Sequence, residues 1–207
     1  MSKTRKSSGS WRNRQERDPY VLQARQEGWR SRAAFKLEQI IKKEQILKAN
    51  MTCIDLGAAP GSWSQYVSLM LKERCRIIAL DILPMDILPS VKQIQGDFTE
   101  DHTLQLILST LDNSPVDLVM SDMAPNISGN KAIDQPRSMH LAELALDLAN
   151  KVLRYRGNFI CKLFEGRGTK AFIIESRKYF ERVRVMKPKA SRPGSSEIYL
   201  VARNYQL

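Results

Sequence analysis

One ten-residue stretch, residues 54–63 (IDLGAAPGSW), constrains the fold of this chain more than any other part of it. The apolar run around Asp55 is typical of a short buried strand, predicted over 51–56. The small residues that begin at Gly57 let the backbone pass close to a ligand, and we expect Ser62 to cap the helix that follows. A strand, a small-residue turn and a helix together predict a nucleotide-type site at the carboxyl end of the strand.

Acidic residues end the next two apolar runs. The turn itself lacks the Gly-x-Gly-x-x-Gly spacing and the lysine followed by Ser or Thr that phosphate-binding loops use, so it favours a cationic or hydroxyl-rich ligand. Asp81 lies 20 residues after Gly61, where nucleotide-binding α/β folds place the carboxylate that accepts the ribose hydroxyls. Asp97 is placed to meet an adenine amino group. The alternatives are a surface acid for Asp81 and a helix cap for Asp97.

Length and cysteine content limit the class of protein. A chain of 207 residues, 43% of them hydrophobic, is expected to form one large domain with a buried core. No apolar run approaches the roughly 18 residues of a membrane span, so we expect no membrane association. Cys53, Cys75 and Cys161 lie inside apolar runs without metal-ligand spacing. They predict core residues of a cytoplasmic protein, with no disulfide framework and no metal.

The net charge of +11 is unevenly distributed along the chain. Residues 1–32 contain nine Lys and Arg and three acids, residues 33–150 contain ten and fifteen, and residues 151–207 contain fourteen and four. This pattern indicates that the two ends bind a polyanion such as RNA or DNA; the alternative is a solvated surface. Residues 1–18 have too few apolar residues to fold alone, which predicts a basic flexible tail, with an organellar targeting peptide as the alternative.

Apolar periodicity predicts strands that alternate with helices along the rest of the chain. This alternation is typical of an α/β fold with a doubly wound, mostly parallel sheet, and it leaves the last two strands as an antiparallel hairpin at the edge. The predicted strands span 51–56, 76–81, 91–95, 116–121, 157–164, 182–186 and 197–202, and the predicted helices span 31–47, 62–71, 104–111, 136–153 and 169–179.

Four charged residues lie on or beside apolar elements, where an unpaired charge is costly: Lys36, Asp122, Lys162 and Glu197. Lys162 stands out because every other residue from 159 to 164 is apolar. Burial lowers the pKa of a lysine from its ordinary value of about 10.4, which suits a catalytic base. The alternatives are a structural ion pair between Lys162 and Glu197 and, for Lys36, a side chain that reaches solvent from a helix edge.

Five motifs together resemble the FtsJ-type ribosomal RNA ribose 2′-O-methyltransferases over nearly the whole chain. They are SRAAFKL at 31–37, DLGAAPGSW at 55–63, SDMAPN at 121–126, KLFEG at 162–166 and SRPGSSEIY at 191–199. Each motif alone is weak, whereas the five together are highly specific. The resemblance implies a Rossmann-like fold with a seven-stranded sheet, in a single catalytic domain over 19–207 that uses S-adenosylmethionine.

The resemblance also implies site residues and a substrate. The implied catalytic tetrad is Lys36, Asp122, Lys162 and Glu197, and the implied contacts to S-adenosylmethionine are Gly61, Trp63, Asp81, Asp97 and Asp122, to which the glycine turn adds Asp55 and Gly57. Bacterial members of the family modify a uridine in the A loop of large-subunit ribosomal RNA. The resemblance therefore implies an enzyme that acts on the assembled or nearly assembled large subunit, and we expect it to be cytoplasmic, monomeric and without a metal.

Transfer of a methyl group from a sulfonium to a ribose hydroxyl is an in-line displacement that requires removal of a weakly acidic proton. We expect Lys162 to be the base, oriented by Glu197. We expect Lys36 to stabilise the oxygen, and Asp122 to face the sulfonium and hold Lys36. Two other functions stay open: a non-catalytic RNA-binding ribosome-assembly protein on the same fold, and the same chemistry on transfer RNA or an mRNA cap.

Overall fold

The computed structural model describes residues 18–207, and these residues contain seven strands and six helices. The strands are β1 (Met51–Leu56), β2 (Cys75–Asp81), β3 (Val91–Gln95), β4 (Val116–Ser121), β5 (Leu153–Phe164), β6 (Phe180–Met186) and β7 (Glu197–Tyr205). The helices are α1 (Pro19–Glu27), α2 (Ala33–Glu44), α3 (Ser62–Met70), α4 (Asp101–Leu111), α5 (Lys131–Val152) and α6 (Thr169–Ser176).

The seven strands form one sheet in the order β3-β2-β1-β4-β5-β7-β6. The first five strands pair in parallel, and β7 lies antiparallel between β5 and β6. The predicted doubly wound, mostly parallel sheet with an antiparallel edge is therefore confirmed. The strand order reverses between β1 and β4, and the crevice at the carboxyl ends of these two strands is where doubly wound sheets bind ligands.

Helices cover both faces of the sheet, and side chains that alternate along β1 reach both layers. Ile54 and Leu56 pack in the core beneath α4, α5 and α6, whereas Met51 and Cys53 pack beneath α2 and α3. All four side chains are buried. Because both faces of β1 are covered, its carboxyl end is the part of the strand left to meet a ligand.

Helix α5 begins five residues earlier than predicted. The prediction placed its start at about Pro136, and proline is common in the first turn of a helix. In the structure α5 begins at Lys131, since the side chain of Asn130 accepts a hydrogen bond from the backbone N–H of Ala132 and so caps the helix. The sequence signal of the asparagine cap was therefore stronger than that of the proline.

Helix α3 begins without the predicted serine cap. Its N-cap residue is Gly61, which has a φ of 102° that favours glycine and has no side chain with which to cap the helix. Ser62 Oγ lies 2.6 Å from Ser31 Oγ instead, and Ser31 Oγ also accepts a hydrogen bond from the N–H of Ala33. The two serines therefore join the start of α3 to the start of α2.

Asp18 belongs to the folded part of the chain. Its carboxylate accepts a hydrogen bond from the N–H of Tyr20, which caps α1, and it pairs with the guanidinium of Arg32. Asp18 therefore contacts the domain, whereas the rest of the predicted tail, residues 1–17, lies outside the described residues. Within residues 18–207 no helix has the length and apolar character needed to cross a membrane.

Candidate active site

The four charged residues of the predicted tetrad meet at one edge of the sheet. Asp122 follows β4 directly, Lys162 lies near the end of β5, and Glu197 begins β7. Lys36 reaches them from α2. The four side chains are only 8–18% exposed, so each charge needs a partner close by.

The tetrad consists of two ion pairs. Lys36 Nζ lies 2.8 Å from both carboxylate oxygens of Glu197. Lys162 Nζ lies 3.2 Å from Asp122 Oδ1 and donates a hydrogen bond of 2.5 Å to the carbonyl oxygen of Asp122. The predicted partners, Glu197 for Lys162 and Asp122 for Lys36, are therefore wrong, and so is the alternative of a structural pair between Lys162 and Glu197.

Strand order explains why the partners differ from the expectation. β4 and β5 are parallel neighbours, which places Asp122, just after β4, beside Lys162. In the antiparallel ladder of β5 and β7, Lys162 is paired with Tyr199 and not with Glu197. Glu197 lies two residues away along β7, where Lys36 of α2 reaches it.

Tyr199 connects the two ion pairs, and sequence reasoning missed it. Its hydroxyl donates a hydrogen bond of 2.7 Å to Asp122 Oδ1 and accepts one of 3.3 Å from Lys36 Nζ. Burial and the charge of Asp122 raise the pKa of Tyr199 well above its ordinary value, so the hydroxyl keeps its proton. A tyrosine in an apolar strand looks like a core residue; the available signal was its two-residue spacing from Glu197.

Asp122 is the residue on which the charges of the site converge. Burial would raise the pKa of its carboxyl, but the positive charges of Lys162 and Lys36 and the hydrogen bond from Tyr199 hold that pKa below its usual value. The carboxylate is therefore ionised at neutral pH. Nowhere in residues 18–207 do three or more His, Cys, Asp or Glu side chains group closely enough to hold a metal ion.

A cavity of about 410 Å³, here called the cofactor cavity, opens beside Asp122 at the carboxyl ends of β1, β2 and β4. Gly57, Asp81 and Asp97 line it, together with apolar side chains that include Phe98. The volume lies within the range of roughly 300–1,000 Å³ that is typical of small-ligand pockets. Carboxylates for hydroxyl and amino groups, and an apolar wall for an aromatic ring, fit the nucleoside of S-adenosylmethionine.

Backbone hydrogen bonds orient both acids at this cavity. Asp81 accepts hydrogen bonds of 2.9 Å from the N–H groups of Ala59 and Leu83. Asp97 accepts from the N–H and the hydroxyl of Thr99 at 2.9 and 2.7 Å, and these bonds lower the pKa of Asp97. Each carboxylate keeps lone pairs for a ligand. Asp97 thus holds its own turn, but it does not cap α4, whose N-cap residue is Glu100, so the alternative of a helix cap is wrong.

Most of the other residues predicted to bind the cofactor line a smaller cavity. A cavity of about 20 Å³, lined in part by Asp55, Gly57, Trp63 and Asp122, adjoins the cofactor cavity, with which it shares Gly57 and Asp122. Trp63 is buried, and its Nε1–H donates a hydrogen bond of 2.9 Å to the carbonyl of Ala33. Trp63 therefore fixes α3 to α2 beside the smaller cavity.

Asp55 anchors the start of α3 from inside the core. Its Oδ2 accepts hydrogen bonds from the N–H and hydroxyl of Ser64 at 3.0 and 2.7 Å, and its Oδ1 has no hydrogen-bond partner among the described residues. Complete burial raises the pKa of Asp55 to about 7 in spite of the bonds from Ser64. Asp55 thus holds the glycine turn, and only its second oxygen is left for a ligand.

Arg30 ties the glycine turn to the next loop, and sequence reasoning missed this residue too. Its guanidinium donates hydrogen bonds to the carbonyl oxygens of Pro60, Asp86 and Ile87 at 3.0, 2.8 and 3.0 Å. Gly61, which lines neither cavity, lies so close that an added Cβ would be 2.7 Å from the guanidinium. An arginine in a basic segment looks like an RNA contact, so the sequence carried no signal for this role.

The fold and the site together define the class of protein: an α/β methyltransferase with a seven-stranded, mostly parallel sheet. Residues 29–205 match the model of the family described as FtsJ-like methyltransferase, and the chain belongs to this family. The resemblance seen in the sequence is therefore confirmed, and with it an enzyme whose chemistry is S-adenosylmethionine-dependent methyl transfer.

Named relatives cover the whole chain. The protein named Ribosomal RNA large subunit methyltransferase E in Pseudomonas aeruginosa is 51% identical over 201 residues, which are 97% of each chain. Its namesake in Legionella pneumophila is 50% identical over 207 residues, the full length of both chains. A crystal structure described as a ribosomal RNA methyltransferase from Plasmodium falciparum has 32% identity and a TM-score of 0.77, over 86% of this chain and 98% of that one.

Proposed function

We propose that this enzyme methylates the 2′-hydroxyl of a ribose in large-subunit ribosomal RNA. The observation that carries the proposal is the tetrad itself: two lysines, each paired with a carboxylate, meet beside a cavity that fits S-adenosylmethionine. The names of the relatives from Pseudomonas and Legionella support the RNA class. Within that RNA we propose a uridine of the A loop, modified in the assembled or nearly assembled subunit by a monomeric enzyme in the cytoplasm.

The two lysines divide the chemistry between them. In the resting site Lys162 is the cationic partner of Asp122. It accepts the proton of the ribose hydroxyl once it has released its own proton to solvent, and a general base of this kind contributes about 10²–10⁴-fold to the rate. Lys36 stays cationic and stabilises the negative charge that develops on the same oxygen. S-adenosylmethionine, when bound, supplies the methyl group and a leaving sulfur.

The remaining members of the site position the lysines. Asp122 holds Lys162 through its carbonyl and its carboxylate, and the same carboxylate offers a negative charge to a cationic ligand in the cofactor cavity. Glu197 holds Lys36 and accepts a hydrogen bond of 2.8 Å from Ser191 Oγ. Tyr199 links the two pairs, so that a change at one lysine reaches the other.

A second cavity, of about 470 Å³ and here called the basic cavity, supports RNA as the substrate. Arg32, Lys189 and Arg192 line it with a single acid, Asp18. Ser191 also lines it and bonds to Glu197, so the basic cavity borders the tetrad. Three cations at this position suit the phosphates on one side of the target ribose. Asp18, which directly follows the rest of the predicted basic tail in the sequence, lines this cavity.

Methyl transfer from labelled S-adenosylmethionine to three substrates tests the function. Naked large-subunit RNA, assembled large subunits and bulk transfer RNA are incubated with the enzyme, with Lys162→Ala as the control for contaminating activity. We expect label in large-subunit RNA, in nucleotides whose ribose resists alkaline cleavage, and none in transfer RNA. Label confined to transfer RNA would contradict the proposed substrate. RNA binding without label in any RNA would contradict the proposed activity and favour a non-catalytic ribosome-assembly protein.

A further inference from the structure

A third cavity, of about 580 Å³, lies beside the tetrad and shares no lining residue with the cofactor cavity or the basic cavity. It lies between the segment after β4 and the segment after β5. Phe164, which lines it, follows Lys162 by two residues on the same face of β5 and is paired with Glu197 in the ladder with β7. A ribose at the tetrad would therefore have this cavity next to it.

Side-chain hydrogen bonds to the backbone shape the walls of this third cavity. Gln135 Nε2 donates to the carbonyl oxygens of Phe164 and Arg167, at 3.0 Å each. Asp134 accepts hydrogen bonds from the N–H and hydroxyl of Ser128 and from the N–H of Gly129, at 2.8–3.0 Å. The segments on both sides of the cavity are thus fixed to the first two turns of α5.

The chemistry of the lining differs from that of the basic cavity. Two cations, Lys131 and Arg167, are matched by two acids, Asp134 and Glu165, so the third cavity offers phosphate no net attraction. Pro125, Ile127 and Phe164 give it apolar walls, and Gln135 and Ser196 add neutral polar groups. Flat apolar walls with both donors and acceptors suit a nucleobase, which has a π-face and an edge that donates and accepts hydrogen bonds.

We propose that the third cavity holds the nucleobase of the nucleotide that is methylated, turned out of its stack. This rests on the proposed function, since it takes the ribose at the tetrad as the substrate. The base is attached to the ribose carbon next to the one that bears the reacting hydroxyl, so a base bound here brings that hydroxyl to Lys162. RNA-binding proteins commonly recognise unstacked bases of single-stranded loops in this way. The basic cavity then takes the phosphates and the third cavity takes the base.

A paired set of variants tests the base site. Ile127 and Glu165 are exposed, touch neither the tetrad nor the cofactor cavity, and are changed together as Ile127→Ala with Glu165→Gln. The matched control is Ile174→Ala with Glu143→Gln, two exposed positions outside all three cavities. We expect the KM for large-subunit RNA to rise on the order of tenfold in the cavity variant and to stay unchanged in the control.

Salt dependence separates a base site from a phosphate site. The slope of log affinity against log salt should be the same in the cavity variant as in the wild type, because the protein still neutralises the same phosphates. Binding of S-adenosylmethionine should also be unchanged. A steeper slope with tighter binding would show that the cavity binds phosphate, because Glu165→Gln removes an acid that lines the cavity with Lys131 and Arg167. An unchanged KM would show that the base lies elsewhere, and either result overturns the proposal.

An RNA that lacks one base completes the test. After the methylated nucleotide has been mapped with the wild-type enzyme, an RNA fragment without a base at that nucleotide is measured with both enzymes. The wild type should lose about the same affinity as the cavity variant loses on intact RNA, and the cavity variant should lose little more, because both changes remove one interaction. Additive losses would overturn the base site while the proposed function stands. A wild-type enzyme that methylates no RNA fails at the mapping step, and that result removes the proposed function itself.

Discussion

The two halves of the site hold their charged groups in different ways. On the cofactor side, Asp81 at the end of β2 is held by the backbone N–H groups of Ala59 and Leu83, and Asp97 is held by the N–H of Thr99. On the tetrad side, the charged groups come from α2, β5, β7 and the end of β4, and are held by one another. The cofactor acids are therefore independent of each other, whereas the tetrad is a coupled network.

This difference predicts how the two halves respond to substitution. Independent groups that share no partner give additive effects, whereas residues of one hydrogen-bonded network do not. Removal of one tetrad member leaves a nearly buried partner without its counter-charge, so the effect reaches beyond the residue that was changed. The cofactor side should lose affinity in separable steps, and the tetrad should lose catalysis as a unit.

The largest effect is expected at Lys162. Lys162→Ala should reduce methyl transfer by roughly 10²–10⁴-fold in single-turnover experiments, because it removes the proposed base. Binding of S-adenosylmethionine and RNA should stay near the wild-type level, since Lys162 lines neither the cofactor cavity nor the basic cavity. Lys162→Arg should be nearly as inactive, because a guanidinium with a pKa above about 12 does not give up its proton at working pH.

Lys170→Ala is the matched control, since this exposed lysine lies on α6 outside the site. The wild-type rate should rise with pH as the base loses its proton, and that rise should be absent from both Lys162 variants. A near wild-type rate in Lys162→Ala would place the base elsewhere. Asp122 would then act on the hydroxyl, with Lys36 as its cationic partner.

The next effect concerns stability and tests whether Asp55 is a structural part of the cofactor side. Its pKa is raised to about 7 in the folded protein, against about 3.9 for an unfolded aspartate. The folded state therefore binds the extra proton between these values, and the free energy of unfolding should fall as pH rises from about 4 to 7, by up to about 1.4 kcal/mol per pH unit. Above pH 7 this contribution should be constant.

Asp55→Asn removes the titration while it keeps the size of the side chain. Denaturant unfolding of both proteins from pH 4 to pH 8 gives the difference in unfolding free energy between them. Between about pH 4 and 7 the wild type should lose stability relative to Asp55→Asn as pH rises. Above pH 7 the difference should be constant. A difference that does not depend on pH would show that Asp55 is ionised throughout.

The cofactor side was easier to predict from sequence than the tetrad side, for a physical reason. Asp81 and Asp97 follow apolar runs, and in a parallel sheet the ends of such runs lie at one edge, so local pattern was enough to place them. The partners of Lys36 and Lys162 depend on β7 lying between β5 and β6, which no local pattern reveals. Tyr199 was missed for the same reason.

A smaller effect is expected at Asp81. Removal of a hydrogen bond to a charged group costs roughly 1.5–3 kcal/mol, so Asp81→Ala should weaken binding of S-adenosylmethionine about tenfold to a hundredfold. RNA affinity should not change. Calorimetry can compare it with Asp86→Ala, an acid of the following loop that does not line the cofactor cavity. Wild-type affinity in Asp81→Ala would remove this residue from the site.

The smallest effect should come from the tail, and it is electrostatic. Deletion of residues 1–17 removes six Lys and Arg residues but leaves Asp18 to cap α1. RNA binding should weaken, and the slope of log affinity against log salt should become shallower by about 0.7–0.9 for each phosphate that is no longer neutralised, while S-adenosylmethionine binds as before. A 207-residue chain with the six residues changed to Gln tests charge apart from length and should match the deletion. An unchanged slope in both proteins would show that the tail neutralises no phosphate. The basic cavity would then be the proposed site of phosphate binding without the tail.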